Sequence, residues 1–121
     1  LTEETHHLVN ESRMKMMPGK QGGIVCGNHI VNCARGGIID ESALLDALES
    51  GVITSAALDV FEIEPVSGDN LLVKHANFHG TPHIGAATME AQRRVGIDIA
   101  DAVILGLNGK QPSTLVNREY L

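Results

Sequence analysis

Three side chains along the sequence could together act on a small hydroxy acid: Arg35, Glu64 and His83. A guanidinium group has a planar fork that can hold a carboxylate through two hydrogen bonds. A histidine can take the proton of an alcohol and return it in the reverse reaction. A glutamate bonded to the other ring nitrogen would fix the tautomer and favour the imidazolium form. The set therefore predicts acid/base chemistry on a molecule that carries both a carboxylate and a hydroxyl group.

Each of these side chains follows an apolar, β-rich run of the chain. Arg35 comes directly after the run 30–34, Glu64 shortly after 56–61, and His83 shortly after 77–80. In a parallel α/β sheet, ligands bind beyond the carboxyl ends of the strands. We therefore expect the three head groups to gather at one edge of a sheet. Glu62 is the alternative to Glu64 as the partner of the histidine.

Helical patterns alternate with these runs, which predicts βαβ units and an α/β fold. Asp40 can cap a first helix that presents Leu44, Leu45 and Leu48, and Gly51 can end it. Thr88 can cap a longer helix that ends between residues 106 and 109. The apolar side of this second helix consists of Ala91, Val95, Ile99, Ala102 and Val103. The Met14, Met16 and Met17 cluster is interpreted as helix packing.

Composition excludes several classes of partner. The chain has 121 residues, 43% of them hydrophobic and 20% charged, with a formal net charge of −6. An acidic chain whose longest basic run is Arg93-Arg94 has no electrostatic footprint for nucleic acid or for an anionic membrane. Two cysteines, Cys26 and Cys33, are too few for a disulfide framework, which favours free thiols and a cytoplasmic location.

Three stretches carry a family resemblance: NCARGGIIDE at 32–41, AALDVFEIEP at 56–65 and TPHIGAATMEAQ at 81–92. In this order and spacing they resemble D-2-hydroxyacid dehydrogenases, especially those of the phosphoglycerate dehydrogenase type. The resemblance implies the C-terminal half of a Rossmann-like, doubly wound parallel sheet with flanking helices. It also implies hydride transfer between NAD and C2 of a D-2-hydroxy acid, with 3-phosphoglycerate favoured. Arg35 would bind the substrate, Glu64 would be the carboxylate partner, and His83 the acid/base.

The resemblance further implies which residues contact the cofactor, and that the complete enzyme is a homo-oligomer. Asp59 would face the carboxamide of nicotinamide. The other expected cofactor contacts are Cys33, Ala34, Arg35, His83, Ile84, Gly85 and Ala86. Residues 1–109 would form a partial NAD-binding domain that lacks its N-terminal part, and 110–121 a connector toward the substrate domain. The glycine-rich Gly-x-Gly-x-x-Gly turn that holds the pyrophosphate is not found in these residues. We therefore expect this chain alone to bind NAD poorly and to turn over no substrate.

Several local alternatives remain open at this stage. Asp59 could instead be a hydrogen-bonded structural carboxylate. The segment 21–29 looks inserted relative to the family, and its residues 24–26 could compete with 30–33 for the strand. Cys26, His29 and Cys33 have a spacing that could suit zinc, with His6 or His7 as a remote fourth ligand. We nevertheless predict no metal site, because Cys33 belongs to a strand and the fourth ligand is arbitrary.

Two other functions compete with the dehydrogenase. The chain could belong to an NAD-sensing binding protein similar to the family's transcriptional corepressors, which can retain the same three side chains. It could also be a non-functional fragment that needs further strands in order to fold.

Overall fold

The computed structural model describes residues 1–117 and divides into two compact units, Leu1–Ile84 and a second that begins at Gly85. After a short 3-10 turn at Glu3–Thr5, the elements are α1 (Glu11–Lys15), β1 (Lys20–Gln21), β2 (Ile24–Val25), β3 (His29–Asn32), α2 (Glu41–Glu49), β4 (Ser55–Leu58), α3 (Leu71–Lys74), β5 (Phe78–Gly80) and α4 (Met89–Leu107). The predicted domain boundary after Gly109 stays a prediction, and residues 118–121 of the expected connector lie outside the described part.

A three-stranded parallel sheet in the order β3-β4-β5 organises the first unit. Ile30 pairs with Ala56, and Ala56 pairs with Phe78. Helix α2 lies between β3 and β4 in the chain, and α3 between β4 and β5. The α/β class and all three predicted strands are thereby confirmed.

The strands β3 and β4 are shorter than the sequence predicts. For β3 the cause is the side chain of Asn32, whose Oδ1 accepts a hydrogen bond from Ala34 N while its Nδ2 donates to Arg35 O. A side chain that bonds the backbone ahead of it favours a turn over a continued strand. Consequently Cys33 and Ala34 lie in the loop beyond β3, and residues 59–61 lie in the loop beyond β4.

Helix α2 follows the sequence signals closely. Asp40 accepts a hydrogen bond from Ala43 N at 3.0 Å, which satisfies one of the free N–H groups of the first turn. The helix ends at Ser50, and Gly51 follows in the left-handed region with φ 76°, which glycine adopts without a steric penalty. Leu44 and Leu48 are buried as expected, and Leu45 is partly buried.

The core of the first unit lies where α2, α1 and the sheet meet. Met14, Leu44, Ile53 and Val60 are its fully buried large side chains. Of the predicted methionine cluster, Met14 is buried and Met17 packs against the core, whereas Met16 is 80% exposed. The packing interpretation is therefore wrong for Met16, because that residue is the C-cap of a helix only five residues long.

The segment that looks inserted forms a small hairpin. Strands β1 and β2 pair antiparallel through Lys20↔Val25 and Gln21↔Ile24. Ile24 and Val25 are 72% and 82% exposed, whereas Ile30 and Asn32 of β3 are buried. The competition for the strand is thus resolved in favour of 30–32, and the hairpin precedes the amino end of β3, away from its carboxyl end.

The second unit contains α4, which begins as predicted at Thr88. The side chain of Thr88 accepts a hydrogen bond from Ala91 N at 3.1 Å, and the helix ends at Leu107, within the predicted range 106–109. No residue of α4 is buried, and Val95, Ile99 and Val103 of its apolar side are 55% to 61% exposed. Among residues 1–117, none of the helices combines the length and hydropathy needed to cross a bilayer.

We expect Leu44→Ala to lower the free energy of unfolding by about 2–5 kcal/mol, because it removes a fully buried side chain and leaves a cavity. Urea denaturation followed by circular dichroism measures the change. The matched control is Leu71→Ala, whose side chain on α3 is 62% exposed and whose loss should cost under about 0.5 kcal/mol. Equal losses for the two variants would contradict the assignment of the core.

Candidate active site

His83 and Glu64 form a hydrogen-bonded pair at the carboxyl edge of the sheet. His83 Nδ1 lies 2.8 Å from Glu64 Oε2, and both side chains are partly exposed. The pairing occupies Nδ1 of the imidazole and not Nε2. This is the arrangement in which a carboxylate orients a histidine for proton transfer.

Glu64 is held in place by a second hydrogen bond. Its Oε1 accepts from the backbone N–H of Phe61 at 2.9 Å, so both oxygens of the carboxylate have assigned donors. The hydrogen bond from His83, and after it the one from Phe61 N–H, hold the pKa of Glu64 below its usual value of 4.5. The carboxylate is therefore ionised throughout the neutral range, as a partner that stabilises an imidazolium must be.

The turn that carries His83 has an uncommon backbone conformation. His83 has φ 56°, in the left-handed region that few non-glycine residues adopt, and its N–H bonds to Thr81 O at 3.0 Å. Strained backbone of this kind persists only where surrounding contacts hold it, and it is frequent at functional sites.

The carboxylate of Asp59 supplies those contacts. Its Oδ1 accepts hydrogen bonds from Thr81 Oγ1 and, at 2.8 Å, from Ile84 N, which are the residues on either side of Pro82 and His83. Asp59 is only 5% exposed. The structure thus contains hydrogen bonds of the kind that the structural alternative for Asp59 expects. The predicted contact of Asp59 with the nicotinamide carboxamide stays a prediction.

Arg35 lies on the loop next to the pair. A Cβ atom on Gly36 would lie 1.8 Å from Phe61 O, so only glycine lets the loop after β3 pack against the loop that leads to Glu64. The exposed guanidinium of Arg35 donates to Ala34 O at 2.7 Å. Within residues 1–117 it forms no ion pair with an acidic side chain. The structure therefore brings Glu64 and His83 together and places Arg35 on a neighbouring loop, without showing contact between Arg35 and the pair.

An apolar cavity of about 370 Å³ adjoins the His83–Glu64 pair. Besides the two polar residues, its walls are Phe61, Pro65, Val66 and Pro82. Low-polarity walls beside a polar pair strengthen electrostatic interactions with a bound molecule. The cavity lies within the first unit and is large enough for a small ligand.

Glu62, the alternative partner of the histidine, belongs to a different network. Its Oε1 accepts from His7 Nε2 at 3.0 Å and from Glu41 N at 3.1 Å, and its own N–H donates to Glu41 Oε1. The geometry therefore selects Glu64 for the contact with His83. The contacts of His7 with Glu62 and of Thr81 with Asp59 were not predicted from the sequence, because the partners lie 55 and 22 positions apart in the chain.

The remaining predicted cofactor residues are placed as follows. Cys33 is an exposed free thiol on the loop after β3, and Ala34 N is bonded to the side chain of Asn32. Gly85 and Ala86 belong to the second unit, where Ala86 O accepts a hydrogen bond from Gln92 Nε2 at 3.1 Å. The role of each in cofactor binding stays a prediction.

The family profile "D-isomer specific 2-hydroxyacid dehydrogenase, NAD binding domain" matches residues 1–85. The chain belongs to this family. It is 50% identical over 117 residues to D-3-phosphoglycerate dehydrogenase 3, chloroplastic, of Arabidopsis thaliana, covering 97% of this chain and 19% of that protein. It is 42% identical over 121 residues to glyoxylate reductase of Thermofilum pendens, covering all of this chain and 34% of that protein.

Solved structures agree with this family. A glyoxylate reductase from Paecilomyes thermophila superimposes with a TM-score of 0.81 at 34% identity, covering 98% of this chain and 34% of that one. An NADPH-dependent glyoxylate/hydroxypyruvate reductase from Sinorhizobium meliloti, in complex with NADP and sulfate, gives 0.82 at 27% identity, covering 97% and 36%. The Rossmann-like fold prediction is confirmed. The chain spans between 19% and 36% of the length of these four relatives.

The family description also confirms the predicted cofactor class, because the family is an NAD-binding domain. The residues of this chain fit the reactive end of such a cofactor: a histidine held by an ionised carboxylate beside a cavity with apolar walls. They do not fit the pyrophosphate, since no Gly-x-Gly-x-x-Gly turn occurs in the 121 residues.

We expect Thr81→Val to destabilise the His83 turn, because valine matches threonine in shape but cannot donate to the buried Asp59 carboxylate. The loss in the free energy of unfolding should be about 1–3 kcal/mol, measured by urea denaturation. Thr81→Ser keeps the hydroxyl and is the control. A Val variant as stable as the Ser variant would contradict the role of this hydrogen bond.

The lowered pKa of Glu64 predicts a pH-dependent contribution to stability. A carboxylate whose pKa is depressed by folding stabilises the folded state above its unfolded pKa, and this contribution disappears as pH falls through the folded pKa. The difference in the free energy of unfolding between wild type and Glu64→Gln should therefore hold down to the usual pKa of 4.5 and shrink below it. Glu49→Gln, on the exposed side of α2, controls for the loss of one carboxylate. A difference that grows with acidification would oppose the assignment.

Proposed function

We propose that this chain supplies the proton-transfer residues of an NAD-dependent D-2-hydroxyacid dehydrogenase. The observation that supports this most is the 2.8 Å hydrogen bond between His83 Nδ1 and Glu64 Oε2, at the carboxyl edge of a parallel sheet and beside an apolar cavity. The description of the family to which the chain belongs also names a D-isomer specific 2-hydroxyacid dehydrogenase.

In this proposal His83 Nε2 takes the proton from the C2 hydroxyl of the substrate and returns it to the ketone in the reverse direction. Glu64 keeps the proton-bearing Nδ1 oriented and stabilises the imidazolium that forms. NAD, when bound, supplies the acceptor for the hydride that leaves C2. His83 and Glu64 need no large rearrangement for this step, because Asp59 holds the turn that carries His83 and the N–H of Phe61 holds Glu64.

Arg35 binds the substrate carboxylate in the same proposal. It is the exposed guanidinium on the loop packed against the one that carries Glu64, and it has no acidic partner of its own within residues 1–117. A guanidinium can donate hydrogen bonds to both oxygens of a carboxylate and thereby fix the orientation of C2. Reorientation of this exposed side chain away from Ala34 O would be required for binding.

We favour 3-phosphoglycerate as the substrate, because phosphoglycerate dehydrogenases of Arabidopsis thaliana and Bacillus subtilis are 50% and 44% identical to this chain over 97% of its length. A glyoxylate reductase is the second candidate, supported by 42% identity over the whole chain. Assembly of the complete enzyme into a homo-oligomer and a cytoplasmic location remain proposals.

The role of His83 is tested by His83→Gln in the complete protein that carries these residues. Loss of a general acid/base should lower kcat by about 10²–10⁴-fold, whereas KM for the hydroxy acid should change far less. The matched control is His79→Gln, an exposed histidine on β5 that precedes the turn. Steady-state rates with 3-phosphoglycerate and with glyoxylate distinguish the two substrate candidates. Unchanged turnover in His83→Gln would refute the proposal.

A further inference from the structure

A second group of metal-ligating side chains lies outside the His83–Glu64 pair. Its members are His7, Asp40 and Glu62, which come from the N-terminal loop, the N-cap of α2 and the loop after β4. Each offers one ligand atom, and these atoms lie within 4.8 Å of one another. We propose that this His7 cluster binds one divalent transition-metal ion, with Zn²⁺ as the best match.

The positions of the three side chains allow a shared ion. His7 lies between the two carboxylates, with Nε2 3.0 Å from Glu62 Oε1 and Nδ1 3.6 Å from Asp40 Oδ2. An ion binds only one of these two nitrogens, and the three ligand atoms that could share it lie within 4.8 Å of one another. Since a tetrahedral zinc ion with bonds of about 2.0–2.2 Å needs its ligand atoms about 3.5 Å apart, the side chains must close by up to about 1.3 Å. All three are about one-third exposed, which permits that adjustment and leaves room for water as a further ligand.

The backbone already places the three residues together. His7 N donates to Gly37 O at 2.7 Å, Val9 N to Ile38 O and Asp40 N to Val9 O, so the segment with His7 runs beside the segment with Asp40. Glu62 is joined to the first residue of α2 by two reciprocal hydrogen bonds with Glu41. A site assembled before the ion arrives loses little conformational entropy on binding.

The charge balance of the cluster also favours a cation. Asp40, Glu41 and Glu62 place three carboxylates around one imidazole. A divalent ion would relieve this concentration of negative charge.

The N–H groups of α2 bond to one oxygen of each carboxylate in the cluster. They engage Asp40 Oδ1 and Glu62 Oε1, and Asp40 Oδ2 points instead toward His7. The second oxygen of each carboxylate can therefore bind metal while the first keeps its bond to the helix. The imidazole ligand favours zinc and its neighbours over magnesium or calcium, which prefer all-oxygen sites.

The sequence predicts no metal site, and the zinc alternative weighed there used Cys26, His29 and Cys33, with His6 or His7 as a remote fourth ligand. In the structure both ring nitrogens of His29 are already engaged, Nδ1 with Ser55 Oγ at 2.8 Å and Nε2 with Cys26 O at 3.1 Å. The His7 cluster is thus a different site, and its proposal does not depend on the dehydrogenase function.

The test is a zinc titration of the purified, tag-free protein by calorimetry, with four chains compared: wild type, His7→Gln, Asp40→Asn and His79→Gln. Asparagine caps a helix as well as aspartate does, so Asp40→Asn removes a charge while preserving the start of α2. We expect one ion per chain in the wild type, affinity weakened by about tenfold or more in the first two variants, and no change in His79→Gln.

Two further measurements make the outcome decisive. Zinc should raise the melting temperature of the wild type and of His79→Gln, but not of the other two variants. X-ray absorption of the zinc complex should show only nitrogen and oxygen ligands, including an imidazole. The proposal would be overturned by the absence of saturable binding, by binding in His7→Gln and Asp40→Asn as tight as in the wild type, or by sulfur ligands. In that case His7 serves only as a hydrogen-bonded bridge between two carboxylates.

Discussion

Asp59 Oδ1 accepts two hydrogen bonds, and the geometry of the candidate active site depends on them. The carboxylate follows β4 and is almost fully buried, a position that costs several kcal/mol for an ion without partners. Thr81 Oγ1 and Ile84 N offset this cost, and they lie on both sides of His83. Because β4 and β5 are parallel neighbours, residue 59 of one loop necessarily lies near residue 81 of the next. The same contact that satisfies a buried charge thus holds the imidazole in an uncommon backbone conformation.

A second constraint extends from this turn to the loop of Arg35. One oxygen of Glu64 is hydrogen-bonded to His83 Nδ1, and the other accepts a hydrogen bond from Phe61 N. The carbonyl oxygen of Phe61 in turn lies so close to Gly36 that only glycine fits at this position. Glu62, two residues before Glu64, is tied to the start of α2 through Glu41. Each of the three loops is therefore braced by a neighbouring loop in addition to its own local hydrogen bonds, so a change in one is expected to propagate to the others.

The features that the sequence predicts well are those encoded by nearby residues. The caps at Asp40 and Thr88 and the left-handed Gly51 need only a few neighbouring positions, and all three are present as expected. The pair of His83 and Glu64 was predictable because both follow strands of one parallel sheet. The Asp59–Thr81 and His7–Glu62 contacts were not, since they span 22 and 55 positions and depend on how loops approach one another. The strand lengths also differed, because the side chain of Asn32 turns the backbone before the apolar pattern ends.

Proton transfer and cofactor binding depend on different sets of residues. Proton transfer needs an imidazole, an ionised partner and a low-polarity cavity, and one compact unit, Leu1–Ile84, contains all of them. Retention of a dinucleotide rests on N–H groups around the pyrophosphate, and these require a glycine-rich turn that the 121 residues do not include. Affinity and reactivity thus draw on different segments of the fold. An interaction that is realised mainly in the transition state raises kcat, whereas one that holds the cofactor equally in all states lowers KM. In the proposed function the residues of this chain belong to the first kind, so the support that Asp59 and Phe61 give them matters more than the number of contacts they make with NAD.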